Sequence, residues 1–167
     1  MKDTNEAKKF YKELDAAIRK FEGEDVVTLG DFNAKLGSKD FDGGPIGSHA
    51  RGIRNENGEF LHDWLEDHKF FATNTFFKHR ACNITTWAGV IRGRRVFNQI
   101  DFIHLRNSRK HSVTDARSHQ IFTVDSDHRL VMVTMWRKND FERTKKVKAQ
   151  TTTDPTLLFL QKKNQRS

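Results

Sequence analysis

The chain has 167 residues, a formal net charge of +8, a hydrophobic share of 35%, 14 Phe, 3 Trp and one cysteine. That is enough for one domain with its own core, and no apolar run approaches the ~18–20 residues that cross a bilayer. The single Cys82 excludes an internal disulfide and a cysteine-built zinc cage. With a polar N-terminus lacking a signal-peptide pattern, it leads us to expect an intracellular protein, nuclear or cytoplasmic.

The positive charge is uneven. Lys78 to Lys110 holds eight Lys/Arg against one acid, Asp101, and the segment from Arg137 onward holds nine against three. Confined positive charge suits a polyanionic partner such as nucleic acid, and a solvated tail with a chance cluster is the bland alternative.

In chain order, residues 3–22 predict an amphipathic helix. Asp3 and Glu6 form a capping-box pattern, and Phe10, Leu14, Ala17, Ile18 and Phe21 recur at helical spacing before Gly23. Val26 to Leu29 is a short apolar run of the buried-strand type, closed by Gly30. Residues 34–58, with six Gly and Pro45, predict a long loop. A second helix is expected from Asn57 to Asp67, burying Phe60, Leu61, Trp64 and Leu65. Strands are expected near 70–74, 83–88, 96–105, 111–116 and 120–124, with a last one from Leu130 to Trp136. Early helices and later strands argue for a two-layer α/β sandwich with a mixed sheet. After Asn139 the pattern decays into Lys, Thr and Gln, which reads as a basic linker or tail over 139–167, with Leu157 to Leu160 able to dock locally.

Three short segments could carry chemistry. Gly30-Asp31-Phe32-Asn33 follows a strand, and strand alternation sends Asp31 and Asn33 to the same side. A carboxylate and an amide placed so can deprotonate a water and hold a phosphate oxygen or a metal, although a plain strand-to-loop turn uses the same residues. Ser126-Asp127-His128 sets an imidazole beside a carboxylate before the final strand; a turn with a surface His is the alternative. Asp101 interrupts the apolar run Val96 to Leu105. A carboxylate there is costly unless paired, with an imidazole or a nearby arginine as candidate partners.

The order of these segments resembles the endonuclease/exonuclease/phosphatase superfamily, and within it the endonuclease domain of LINE-type retrotransposons and the craniofacial-development-protein-like group. The likeness runs through Phe10–Gly37, Asn55–Thr75 and Ile84–Trp136. It implies a DNase I-like sandwich that hydrolyses phosphodiester bonds in DNA with Mg²⁺ (or Mn²⁺). It implies that Asp31 orients or deprotonates the attacking water or binds metal. Asn33 would contact the scissile phosphate or metal, Asp127 would serve the metal site, and His128 would stabilise the developing charge with Asp101 as its partner. It also implies DNA contacts from Thr86 in the Thr85-Thr86-Trp87 segment and from Arg92, Arg94 and Arg95, where the family has a hairpin. A buried Trp87 and a solvated hairpin tip are the structural alternatives. The arginines favour DNA over inositol-phosphate or sphingomyelin headgroups. His104, His111 and His119 match no motif.

One departure stands out. In the family an earlier half-domain supplies a metal-binding Glu, and Glu6, Glu13, Glu22 and Glu24 match nothing of the kind. Residues 1–138 are therefore expected to be a partial domain with an uncovered apolar sheet face. Low stability, aggregation, self-association or dependence on a complementary half would follow, and catalytic inactivity with retained nucleic-acid binding is the alternative function.

Overall fold

The computed structural model describes residues 4–21, 25–38, 44–120 and 126–136. It divides at Met135 into two compact units. Of the second, only Trp136 is described, so the expected tail and its Leu157–Leu160 segment lie outside the described residues, as do Asp3, Gly23 and most of the strand expected at 120–124.

Helix α1 (Thr4–Arg19) turns Ile18 into the core, with Tyr11 and Leu14 packed against it. Helix α2 (Glu56–Asp67) starts at Asn55. Its side-chain carbonyl accepts from Gly58 N at 2.9 Å and from Lys35 N at 2.8 Å, capping the helix and tethering the preceding loop at once. Gly58 is demanded by that approach, since a Cβ there would sit 2.0 Å from Lys35 O. Leu61, Trp64 and Leu65 are buried, each worth about 1.5–3 kcal/mol, while Phe60 is only half-buried. The helices are pinned together where Asp15 accepts from Trp64 Nε1 at 2.6 Å and meets His68 Nε2 at 3.1 Å.

These helices cover one face of a three-stranded antiparallel sheet ordered β1 (Val27–Asp31), β5 (Asp101–Arg106), β2 (Phe70–Ala72). Phe70, Ala72 and Phe102 point into that core. The alternate residues Phe71 and Leu105 face the other way, onto Val113 and Val133 of the antiparallel pair β6 (Val113–His119) and β7 (Leu130–Met135). A separate hairpin joins β3 (Trp87–Ile91) to β4 (Arg94–Asn98). Every pairing among the described residues is antiparallel, where a mixed sheet was expected.

Several expectations are corrected. The run 96–105 is two strands, because Gln99 leaves the ladder to bond Arg51 N and Asn74 O with its side chain. Where a strand was expected from 83, the chain forms a short helix, α3 (Ala81–Ile84), and β3 begins only at Trp87. The strand at 111 begins at Val113, after a 3-10 segment, Asn107–Ser112. Strand β1 runs through Gly30 to Asp31 rather than ending at Gly30, and it is not buried on both faces: Val27 is 48% and Leu29 72% exposed. Among the described residues, helices cover only one of its sides.

Candidate active site

Four of the residues singled out from the sequence, Asp31, Asn33, Asp101 and His128, lie where β1 ends and β5 begins. Asp31 and Asp101 are register partners across the antiparallel pair. Strand alternation alone does not bring Asn33 to Asp31, because the strand stops at Asp31. A tight turn with Asn33 at φ 48° folds the chain back, so that Asp31 accepts from Asn33 N at 2.8 Å and from Asn33 Nδ2 at 3.2 Å. Asn57 secures the turn by donating to Asn33 O at 3.2 Å.

Asp101 is half-buried, and its partner is the imidazole rather than an arginine: His128 Nδ1 lies 3.0 and 3.1 Å from its two oxygens. Burial pushes the Asp101 carboxyl above its ordinary value and the neighbouring Asp31 charge adds to this, against hydrogen bonds from Thr86 and His128 that pull it down. With Nδ1 committed to Asp101, Nε2 is the nitrogen of His128 left to meet a substrate.

The segment carrying His128 is fixed by its backbone. Ser126 Oγ accepts from His128 N at 3.1 Å, Asp127 O accepts from Ala88 N at 2.9 Å, and Arg129 N donates to Thr86 O at 2.7 Å. An isolated antiparallel bridge joins Trp87 and His128. Trp87 is therefore no plain core residue: its Nε1 donates to Asp127 Oδ2 at 2.7 Å.

Thr86 is a correction. It is 0% exposed, so it presents no atom to a groove. Its hydroxyl instead accepts from Ile100 N at 2.9 Å and from Asp101 N at 3.1 Å, fixing the start of β5 beneath the carboxylate. Arg92, Arg94 and Arg95 are exposed at the hairpin tip. Arg92 and Gly93 form a two-residue loop with φ 50° and 73°, the backbone that favours Asn-Gly and disfavours a long L side chain.

Among the described residues no three His, Cys, Asp or Glu converge to hold a metal ion. The exposed oxygens of Asp31 and Asp127 are hard donors of the kind Mg²⁺ takes, yet these residues do not build a closed site.

Sequence reasoning missed three features here. Thr86 acts as the brace of Asp101, and Trp87 as the donor to Asp127. A cavity beside Asp31 and Asn33 has one wall that comes from α1. A second imidazole–carboxylate pair, His79 with Asp115 at 2.7 Å, lies apart from this site and is tied to Arg117 on the same strand as Asp115.

The chain is 30% identical over 131 residues to craniofacial development protein 2 of Bos taurus, and equally to that of Tragulus javanicus. The matched region is 78% of this chain and 22% of each relative, so the chain spans about a fifth of the curated relatives it matches. Among solved structures, the endonuclease domain of TRAS1, a telomere-specific non-LTR retrotransposon, superposes with a TM-score of 0.57 at 16% identity. That match covers 78% of this chain and 52% of the neighbour. No protein-family profile matches the chain.

Proposed function

We propose, from the premise that this chain is an endonuclease/exonuclease/phosphatase relative with a DNase I-like fold, that its site descends from one that hydrolyses phosphodiester bonds in DNA. The observation that carries the reading is the convergence of Asp31, Asn33 and the Asp101–His128 pair at one sheet end. In the reaction a water oxygen bonds to phosphorus, the ester P–O bond breaks, and the leaving oxygen takes up a proton from solvent as it becomes a hydroxyl. Asp31, exposed and held by Asn33, accepts the water's proton. Asn33 Nδ2 and His128 Nε2 face the non-bridging oxygens, whose charge grows in the transition state. Asp101 fixes which imidazole nitrogen does this. A divalent ion of the Mg²⁺ or Mn²⁺ type would take Asp31 and Asp127 as anchors, with Asn33 nearby, and would draw its remaining oxygens from outside these residues.

The arginine hairpin supports a nucleic-acid substrate. Arg92 occupies a backbone conformation that costs roughly 1 kcal/mol in a non-glycine residue, and what it gains there is a positive charge at the exposed tip of the hairpin. No helix among the described residues is long and apolar enough to cross a membrane.

A second reading, nucleic-acid binding without hydrolysis, is favoured by the lack of three converging metal donors among the described residues. Nicking of supercoiled plasmid in Mg²⁺ and in EDTA separates the two. Hydrolysis predicts Mg²⁺-dependent nicking that falls at least about 100-fold in Asp31→Ala and in His128→Ala. Binding that weakens steeply with salt, without nicking, selects the second reading. Nicking indifferent to both substitutions overturns the assignment of the site.

A further inference from the structure

A cavity of about 200 Å³ opens beside the Asp31–Asn33 turn, between it and the first turns of α1. Its walls are aromatic. Phe10 packs edge-on against Tyr11 at 5.2 Å and against Phe32 at 6.2 Å between centroids, and Phe10 is 46% exposed. The lining also includes the polar residues Asn33, Asn57, Glu6 and Asp31. Ala7 supplies the smallest side chain of the lining.

We infer that this cavity is a nucleobase subsite, taking one base of the strand whose phosphate lies at Asp31 and Asn33. The inference rests on the nucleic-acid reading above. Size argues for a single planar ring system, since clefts that bury a drug-sized ligand run from roughly 300 Å³ upward and an apolar cavity of about 150 Å³ already admits benzene. Aromatic walls favour a flat π-face, on which bases stack with little regard to sequence. Amides in the lining match the donors and acceptors along a base edge. Two carboxylates in the lining disfavour a phosphate inside the cavity itself, so its occupant is the uncharged ring. Nothing in the sequence brought Phe10 and Asn33 together, because they lie on separate elements.

The test compares two single strands of equal length and phosphate count. One is a 12-nucleotide oligodeoxynucleotide carrying 2-aminopurine; the other is the same strand with tetrahydrofuran abasic residues throughout. The intact chain should bind the strand with bases at least about fivefold more tightly, as loss of one stacked base predicts. Phe10→Ala, which removes a wall, and Ala7→Leu, which fills the space while keeping a strong helix former, should each abolish that preference with melting temperatures unchanged. Arg92→Ala should weaken both strands equally. If the unsubstituted chain binds both strands alike, or either pocket variant keeps the preference, the subsite is wrong and the nucleic-acid reading stands. If it binds neither strand, both fall together.

Discussion

His104 offers a quantitative test of the packing under the site. It sits mid-strand in β5, 0% exposed, stacked near Phe102 with centroids 5.9 Å apart and against Phe32 at 4.6 Å. Its Nδ1 meets Thr28 Oγ1 at 3.0 Å, while its Nε2 has no hydrogen-bond partner. Burial pulls its pKa down from 6.5 to about 3, so the native protein holds it neutral. The folded value lies below the unfolded one. Its contribution to stability is therefore fully present above pH 6.5 and is lost progressively as pH falls toward 3. The slope is about 1.4 kcal/mol per pH unit, giving a loss of about 2 kcal/mol at pH 5 and about 5 kcal/mol at the acid limit. The latter is on the order of a whole domain's stability. His104→Leu keeps an apolar side chain in the site and removes the titrating group. Urea unfolding of both chains at pH 7.5 and pH 5.0 gives the comparison. The unsubstituted chain should lose about 2 kcal/mol more than His104→Leu between the two pH values. Equal losses would refute the reasoning, whatever the absolute stabilities.

Other predictions follow from the same geometry. Thr86→Val should lower stability by about 1–3 kcal/mol, because Ile100 N and Asp101 N lose their buried acceptor; an unchanged urea midpoint would remove Thr86 as a brace. Asp101→Asn should leave stability at pH 7 equal or higher while slowing hydrolysis. Its raised pKa means that ionisation costs the native state above the ordinary carboxylate range, and a clear loss of melting temperature would count against this. Arg92→Asn should stabilise the hairpin by about 1 kcal/mol and lower the slope of log Kd against log salt for DNA by about 0.9; a stability loss would mean that the arginine has a packing role. Leu29→Lys, at a 72% exposed position, should reduce self-association in sedimentation with little change in unfolding, whereas unfolding of the variant would imply that this face is covered.

Helices α1 and α2 and the last strand were legible because their apolar spacing is long and regular. The Asp101–His128 pair was legible for a different reason: the carboxylate within Val96–Leu105 called for a partner, an imidazole or an arginine, and only the family resemblance pointed to His128. Where tertiary contacts overrule local pattern, the sequence reads falsely. Gln99 sits in an apolar run yet leaves the ladder, because its amide finds two backbone partners forty-eight and twenty-five residues away. Thr85 and Thr86 are both buried, which no alternating strand allows, because Thr85 ends a short helix and bonds back to Ala81 O at 2.8 Å. The apolar run of β1 signals an apolar surface without saying whether anything covers it. The wall that α1 lends to the cavity beside Asp31 depends on how two distant segments dock, and no periodicity encodes that.

The backbone seam at Asp127–Arg129 has a mechanical consequence. The segment that aims His128 is stitched to the foot of the β3–β4 hairpin through Thr86, Trp87 and Ala88, so the hairpin is a lever with the imidazole at its fulcrum. Each arm has five residues, roughly 16 Å of strand, and a small swing at the tip becomes a small rotation at the seam. Grafting a hairpin of different length or twist would therefore re-aim Nε2 even with every named side chain intact. The tip that reaches outward and the ring paired with Asp101 are parts of one arm and are not separately adjustable.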